Sequence, residues 1–238
     1  MKGVILAGGF GTRLLPLTAV TNKHLLPVFD KPLIYYPIQT LVEAGITEIM
    51  IVTGGSWAGD FLQLLGNGKK AFGGHVNLHY TYQDGAGGIP VALSYAKDFV
   101  NGEDVCVILG DNVFEKDVAI DFVQSFTKGG RVLLKEVEDP QRFGVAVVTG
   151  DKITRIVEKP KELISNLAIT GLYCFDSQVW DFIDTLAPSD RGELEVTDLH
   201  RYYLQKEELE YKVCSGWWTD AGTFESLYKA ATYARSQS

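Results

Sequence analysis

Lys2-Gly3-Val4-Ile5-Leu6-Ala7-Gly8-Gly9-Phe10-Gly11-Thr12-Arg13-Leu14 opens the chain with an apolar run that breaks into glycines. Val4 to Ala7 has the length and composition of a buried strand, and the glycines turn the chain at its carboxyl end. Open α/β sheets bind ligands at that end of their strands, and glycines let backbone N–H groups approach phosphate oxygens closely. Alone, the turn is equally compatible with a simple chain reversal. The dinucleotide fingerprint G-x-G-x-x-G fits Gly9 and Gly11 but meets Leu14 where the third glycine belongs. Asp30 has a tolerable spacing for a ribose carboxylate, yet Pro27 and Pro32 flank it, which weakens the oxidoreductase reading. Gly68-Lys69-Lys70 has Gln63 where a P-loop needs its first glycine, and no hydroxyl follows the lysines.

Outward from this turn, strand-like and helix-like segments alternate. Val4 to Ala7, Ile49 to Thr53, Leu78 to Tyr82 and Val105 to Leu109 read as strands, while Pro32 to Ala44, Trp57 to Leu65 and Pro90 to Phe99 carry apolar residues at helical spacing. That alternation predicts a parallel sheet covered on both faces. After Gly110 the pattern loosens. Val118 to Phe126, Ser177 to Leu186, Glu195 to Gln205 and Thr223 to Ala234 read as helices; Arg131 to Val137, Gly144 to Val148, Ile153 to Val157 and Leu167 to Phe175 read as strands. The expected fold is a single α/β domain over residues 1–238, a mixed sheet flanked by helices, whose second half adds mixed or antiparallel strands.

With 238 residues, 46% of them apolar, the chain can bury a core without disulfides or a structural metal. Its 22 lysines and arginines against 30 aspartates and glutamates give a net charge of −8. Such a far field repels phosphate polymers, so neither nucleic acid nor an anionic membrane is an expected partner. Any phosphate must be held locally. Cys106, Cys174 and Cys214 are odd in number and sit in apolar segments, as buried hydrophobes in a reducing cytoplasm do. No apolar run reaches the ~18 residues of a membrane span, and Met1 to Ala7 is too short for a signal peptide. The expected location is the cytoplasm.

Three signals point to chemistry. Arg13 ends the glycine turn and Lys23 follows ten residues later with few acids nearby in sequence, a pair of cations suited to a triphosphate or a leaving pyrophosphate. Asp111, in Leu109-Gly110-Asp111-Asn112, follows a buried strand, where a carboxylate suits Mg²⁺; a capping aspartate is the plain alternative. Asp220, in Trp218-Thr219-Asp220-Ala221-Gly222-Thr223, is the natural second carboxylate and reads as part of a turn before a helix. Glu158-Lys159-Pro160 closes a strand, and the proline keeps Lys159 out of helical geometry and fixes its direction.

These motifs resemble, in order and over Lys2 to about Ala231, those of the sugar-1-phosphate nucleotidylyltransferases, most closely their short thymidylyltransferase branch. The same resemblance is carried by Lys23-His24-Leu25-Leu26-Pro27, Asp139-Pro140-Gln141-Arg142-Phe143-Gly144-Val145, Thr170-Gly171-Leu172-Tyr173 and Arg191-Gly192-Glu193-Leu194-Glu195-Val196-Thr197-Asp198. It implies a Rossmann-like nucleotide-diphospho-sugar transferase fold, with a nucleotide-binding part over about 1–112 and a sugar-phosphate part over about 113–238. It also implies conversion of dTTP and glucose 1-phosphate to dTDP-glucose and pyrophosphate, with Mg²⁺ as cofactor and a homo-oligomeric assembly. By position, Gly8, Gly11, Thr12 and Arg13 would hold the triphosphate, with Arg13 and Lys23 over the phosphates that depart, and Leu6 and Gly9 would complete the nucleotide site; Arg13, Lys23 and Lys159 would be the catalytic cations. Gln83 and Gly88 would meet the base, with Leu109 beneath it. Asp111 and Asp220 would share the metal, and Gly144, Glu158, Lys159 and Tyr173 would form the sugar-phosphate pocket. A UTP-using or other sugar nucleotidylyltransferase and a silent sugar-nucleotide binder are the alternatives; both metal carboxylates being present argues against silence.

Three positions depart from the family pattern. Pro90 removes an amide near the nucleotide but suits the first turn of a helix. Phe143 stands where many relatives have tyrosine. His24 replaces a glutamine, which bears on base discrimination. Longer relatives continue past the last core helix and build a second nucleotide site there, so a chain written to Ser238 is expected to meet end product only at the active site.

Overall fold

A computed structural model describes the chain from Met1 to Ser238. Its first half runs through β1 (Lys2–Ala7), the short hairpin β2 (Pro27–Val28) and β3 (Lys31–Pro32), α1 (Tyr35–Glu43), β4 (Glu48–Gly54), α2 (Ala58–Leu65), β5 (Asn77–Gln83), α3 (Ile89–Ser94), α4 (Lys97–Val100) and β6 (Val105–Leu109). The second half adds β7 (Asn112–Phe114), α5 (Val118–Gln124), β8 (Gly130–Glu136), β9 (Gly144–Thr149), β10 (Lys152–Glu158), β11 (Leu167–Phe175), α6 (Val179–Ile183), α7 (Val196–Gln205), β12 (Leu209–Val213), β13 (Trp218–Asp220) and α8 (Phe224–Ser236).

Nine strands form one sheet in the order β10-β9-β11-β6-β1-β4-β5, with β8 pairing β11 and β12 pairing β8. β6, β1, β4 and β5 are parallel, and β11 joins β6 antiparallel. The mixed sheet expected from the sequence is the one observed. Because side chains alternate across a strand, β1 feeds two cores. Ile5 and Ala7 pack with Ile38, Leu41, Phe61 and Phe122 on the face covered by α1, α2 and α5. Val4 and Leu6 pack with Leu93, Val100, Val179, Leu199 and Tyr203 under α3, α4, α6 and α7. All three cysteines are free and buried. No helix is long and apolar enough to cross a membrane.

Several boundaries differ from the expectation for identifiable reasons. The helix read from Pro32 starts only at Tyr35, because Lys31 and Pro32 are extended and pair with β2. The helix read as Pro90 to Phe99 is two helices, with Ala96 between them at φ −97°, ψ 0°. Pro90 does sit in the first turn of α3, where a missing N–H is harmless.

The chain passes from β1 outward to β4 and β5, then returns to place β6 on the other side of β1. A crevice opens where neighbouring loops diverge, beyond the carboxyl ends of β1 and β6. The glycine turn after β1 and Asp111 after β6 both face that switch point.

Candidate active site

After Ala7 the chain takes a left-handed conformation at Gly11 (φ 65°), where Thr18 Oγ1 donates to Gly11 O at 2.9 Å. The N–H groups of Gly9, Phe10 and Gly11 meet no protein acceptor, so they are available to a bound anion. A short 3-10 turn over Thr12–Leu14 then carries Arg13 toward β13. A Cβ placed on Gly222 would lie 2.8 Å from Arg13 Nη2 and 3.3 Å from Asp220 Oδ2, which puts that guanidinium beside that carboxylate.

Lys23 is not the free cation its sequence surroundings predict. It starts a 3-10 turn capped by Asn22, and its Nζ lies 2.6 Å from Asp111 Oδ2, with both side chains largely buried. The neighbouring acid comes from 88 residues further along the chain. His24 is buried: its Nδ1 lies 2.7 Å from Asn22 Oδ1, and its ring fills the space where a Gly110 Cβ would stand. It therefore belongs to the floor under Lys23 and Asp111, and its polar Nδ1 is already engaged.

Asp220 is not in a turn either. It ends β13, which pairs antiparallel with β7 in the register Asp220 opposite Asn112, and Ala221 N donates to Asp111 O at 2.7 Å. This two-strand ribbon brings the two candidate metal carboxylates into one place. Arg142 Nη2 reaches Asp220 Oδ1 at 3.4 Å.

Two cavities share this centre. One, of about 480 Å³, is lined by Leu6, Gly8, Gly9, Gly11, Thr12, Arg13, Lys23, Gln83, Gly88, Leu109 and Asp111. The other, of about 550 Å³, is lined by Gly144, Glu158, Lys159, Tyr173, Trp218 and Asp220, and also by Arg13, Leu109 and Asp111. Every residue that the resemblance assigns to nucleotide, metal or sugar phosphate lines one or both, whereas Pro90 lines neither. Lys159 closes β10 at a positive φ of 40°, outside helical geometry, and its N–H donates to Phe143 O at 3.0 Å.

Residues 2–237 match the family described as nucleotidyl transferase. The chain belongs to that family. It is 40% identical to a glucose-1-phosphate thymidylyltransferase of Neisseria meningitidis serogroup A, over 99% of this chain and 83% of that one. It is 42% identical to the Xanthomonas campestris pv. campestris enzyme of the same name, over 98% of this chain and 80% of the relative. A Bacillus anthracis protein crystallised with sucrose, provisionally assigned as a glucose-1-phosphate thymidylyltransferase, superposes with a TM-score of 0.93 at 50% identity, over 99% of this chain and 95% of that one. A UDP-glucose pyrophosphorylase solved with UDP-glucose superposes at 0.87 with 25% identity, covering 100% of this chain and 99% of the other.

The electrostatics of this nucleotidyl transferase cleft are polarised between its two carboxylates. Burial alone would raise the Asp111 carboxyl, but the Lys23 ammonium, with a hydrogen bond from Asn112, holds it well below the usual carboxylate range. Asp220 is pushed up to about 6 by burial and by the charge of Asp111, against the pull of Arg142, Arg13 and Lys23. Tyr173 is driven up by burial and then by Glu158 and Asp111, so its hydroxyl keeps its proton.

The nucleotidyl transferase cleft also contains residues that motif reading left without a role. Arg191 lines both cavities, held by Glu195 through Nε at 3.1 Å and Nη2 at 3.0 Å. Its loop is stitched to the nucleotide side by a bridge between Leu194 and Gly88, where φ is 89° and any Cβ would collide with Leu194 O. Only glycine fits there. In sequence, Arg191-Gly192-Glu193 opens one of the stretches that carry the family resemblance, but nothing in its residue types gives Arg191 a role of its own. Thr197 lines the larger cavity with a buried hydroxyl that has no protein partner. Its position in a helix that reads as plain amphipathic gives no local signal.

Proposed function

We propose that this protein makes dTDP-glucose and pyrophosphate from dTTP and glucose 1-phosphate, in the cytoplasm. The observation that carries this reading is the shared wall: a glycine-lined cavity and a second cavity lined by Gly144, Glu158, Lys159 and Tyr173 meet at Arg13, Asp111, Glu158 and Lys159. Two substrates held on either side of that wall present their phosphates to each other. The names of the relatives at 40% and 42% identity favour thymidylyl over uridylyl transfer.

In the proposed reaction a phosphate oxygen of glucose 1-phosphate attacks the α-phosphorus of dTTP. A new P–O bond forms, the α–β anhydride bond breaks, and pyrophosphate leaves in line. The obstacle is repulsion between two polyanions. The phosphate monoester is already ionised near neutral pH, so no side chain must take a proton. The free N–H groups of the glycine turn would cradle the triphosphate, Arg13 and Lys23 would balance the departing charge, and Lys159 would hold the acceptor phosphate. Tyr173, kept protonated, can donate to the sugar side.

A divalent cation, Mg²⁺ in our reading, fits the carboxylate pair. Asp111 and Asp220 are hard oxygen donors, and no third acid, histidine or cysteine joins them, so substrate phosphates would complete the shell as Mg²⁺ prefers. Burial first, and then the charge of Asp111, raise the Asp220 carboxyl, and a cation held by both carboxylates would offset that second contribution. When bound, the ion would neutralise phosphate charge and polarise the attacked phosphorus.

Lys159→Ala should weaken glucose 1-phosphate binding about tenfold, the worth of one charged contact, and change dTTP binding much less. Calorimetric titration of each substrate checks this, and the opposite order would reverse the assignment of Lys159.

The base side is tested by initial rates of pyrophosphate release with dTTP, UTP, dCTP and dGTP. Gln83, buried at the end of β5, can offer one donor and one acceptor to the edge that thymine and uracil share; cytosine inverts that pattern. We expect dTTP first, UTP second by the ~1–3 kcal/mol of one methyl group, and dCTP far behind. Equal rates with dCTP would remove Gln83 from base recognition.

A further inference from the structure

Asn112 is 2% exposed and hydrogen-bonded to Asp111 at the centre of the site. Its Oδ1 accepts from Trp218 Nε1 at 2.7 Å and from Gly171 N at 2.9 Å. Both of those groups only donate, which fixes the orientation of the amide. Its Nδ2 is thereby aimed at Asp111 Oδ1, 3.0 Å away. The other carboxylate oxygen, Oδ2, belongs to Lys23. Asp111 is thus gripped from two sides by groups of different character: one long and cationic, the other short, neutral and locked.

The lock is built from distant parts of the chain. The pairing of β11 with β8 shifts between Ile169 and Tyr173, and in that stretch Gly171 turns its N–H to Asn112. A Cβ on Gly171 would stand 2.6 Å from Asn112 Nδ2, so the amide fits against bare backbone only. Trp218 lies on β13 two residues before Asp220, and its ring packs against Phe143 at 5.3 Å in the wall of the larger cavity. One amide therefore ties the side chain of Asp111 to the strand that carries Asp220.

We propose that Asn112 is a positioning residue, keyed by Trp218, which holds the Asp111 carboxylate in place when Lys23 gives up Oδ2 to a cation and turns to the substrate phosphates. This rests on the reading of Asp111 and Asp220 as a metal site. With Oδ1 pinned independently of Lys23, exchange at Oδ2 does not release the side chain. Without the amide, Asp111 would follow its only other partner.

The test is binding of Mn²⁺ to the full-length protein with dTTP and no sugar phosphate, read by the electron paramagnetic resonance signal of the free ion. Asn112→Ala should weaken Mn²⁺ binding by ~10-fold, as removal of a partner behind a metal ligand generally does. Trp218→Phe keeps a ring in the wall and removes only the donor that locks the amide; it should weaken Mn²⁺ about fivefold, the worth of one hydrogen bond. The double variant should bind no more weakly than Asn112→Ala alone, because Trp218 acts through Asn112. In turnover, both variants should lower kcat at saturating substrate more than they raise KM for dTTP. If Asn112→Ala does not fold, Trp218→Phe carries the same readouts. Unchanged Mn²⁺ binding in the variants, with only KM for glucose 1-phosphate raised, would make Asn112 a mere wall of the sugar cavity and overturn the proposal. Additive losses in the double variant would overturn the keying by Trp218. Failure of the unaltered protein to bind Mn²⁺, or full binding by Asp111→Asn, would instead overturn the metal site itself and this inference with it.

Discussion

Asp111→Asn and Asp220→Asn are each expected to reduce kcat by ~10²-fold or more, the scale of losing one preorganised electrostatic contribution at a reacting phosphate. Each change removes a negative charge and a hard ligand from the same place. The Asp220 variant has a second, opposite signature. The Asp220 carboxyl in the fold is raised to about 6 from an ordinary 3.8, so the native state prefers it protonated. Its favourable contribution is full below pH 3.8 and is lost as the pH rises through about 6. At pH 8 in the absence of metal the ionised group destabilises the fold by about 3 kcal/mol, taking ~1.4 kcal/mol for each pH unit. Asp220→Asn should therefore melt higher than the unaltered protein at pH 8 with chelator present, and the gap should close below pH 4. Mg²⁺ added in the presence of dTTP should stabilise the unaltered protein beyond dTTP alone and add little to the variant. Thermal unfolding across pH and metal reads all three. Full activity in both variants would dispose of the two-carboxylate site, and a lower melting temperature for Asp220→Asn at pH 8 would refute the charge argument.

Arg13→Ala should cost ~10²- to 10³-fold in kcat, with smaller changes in KM for either substrate. Arg13 lines both cavities, and its guanidinium lies beside Gly222 and Asp220. Charge that develops on the bridging oxygen as pyrophosphate leaves falls on that side of the cleft in the proposed reaction. A group that meets charge only as it develops contributes to the rate and not to ground-state binding. Arg13→Lys should recover only part of the loss, since an ammonium lacks the planar fork that grips two oxygens at once. Steady-state kinetics for the two variants decide this: an Arg13→Ala enzyme with unchanged kcat and a raised KM for dTTP would make Arg13 a binding residue only.

The central parallel strands β1, β4 and β6 were legible because each is buried along most of its length and reads as an apolar run, whereas β5, at the sheet edge, exposes His79 and Tyr82. Val105-Cys106-Val107-Ile108-Leu109 cannot be anything exposed, and the glycine after it must turn. What local pattern could not show is pairing over distance. β7 and β13 are three residues each, too short to register as strands, and they recognise each other across 106 residues through Asn112 and Trp218. Asp220 consequently looked like part of a turn. Lys23 looked unpaired for the same reason, since Asp111 reaches it only because β6 lies beside β1. Arg191 and Thr197 lie in the Arg191-to-Asp198 stretch that carries the family resemblance, but neither has a local pattern that points to a role, and it is the folding of that segment against Gly88 that brings them to the cleft.

Thymidylyl transfer to a sugar phosphate is tested by incubating the protein with dTTP, glucose 1-phosphate and Mg²⁺ and following both products by anion-exchange chromatography. One dTDP-glucose should form for each pyrophosphate, and neither product should form when the sugar phosphate or the metal is left out. Pyrophosphate released from dTTP without glucose 1-phosphate, or no sugar nucleotide formed in the complete mixture, would contradict it.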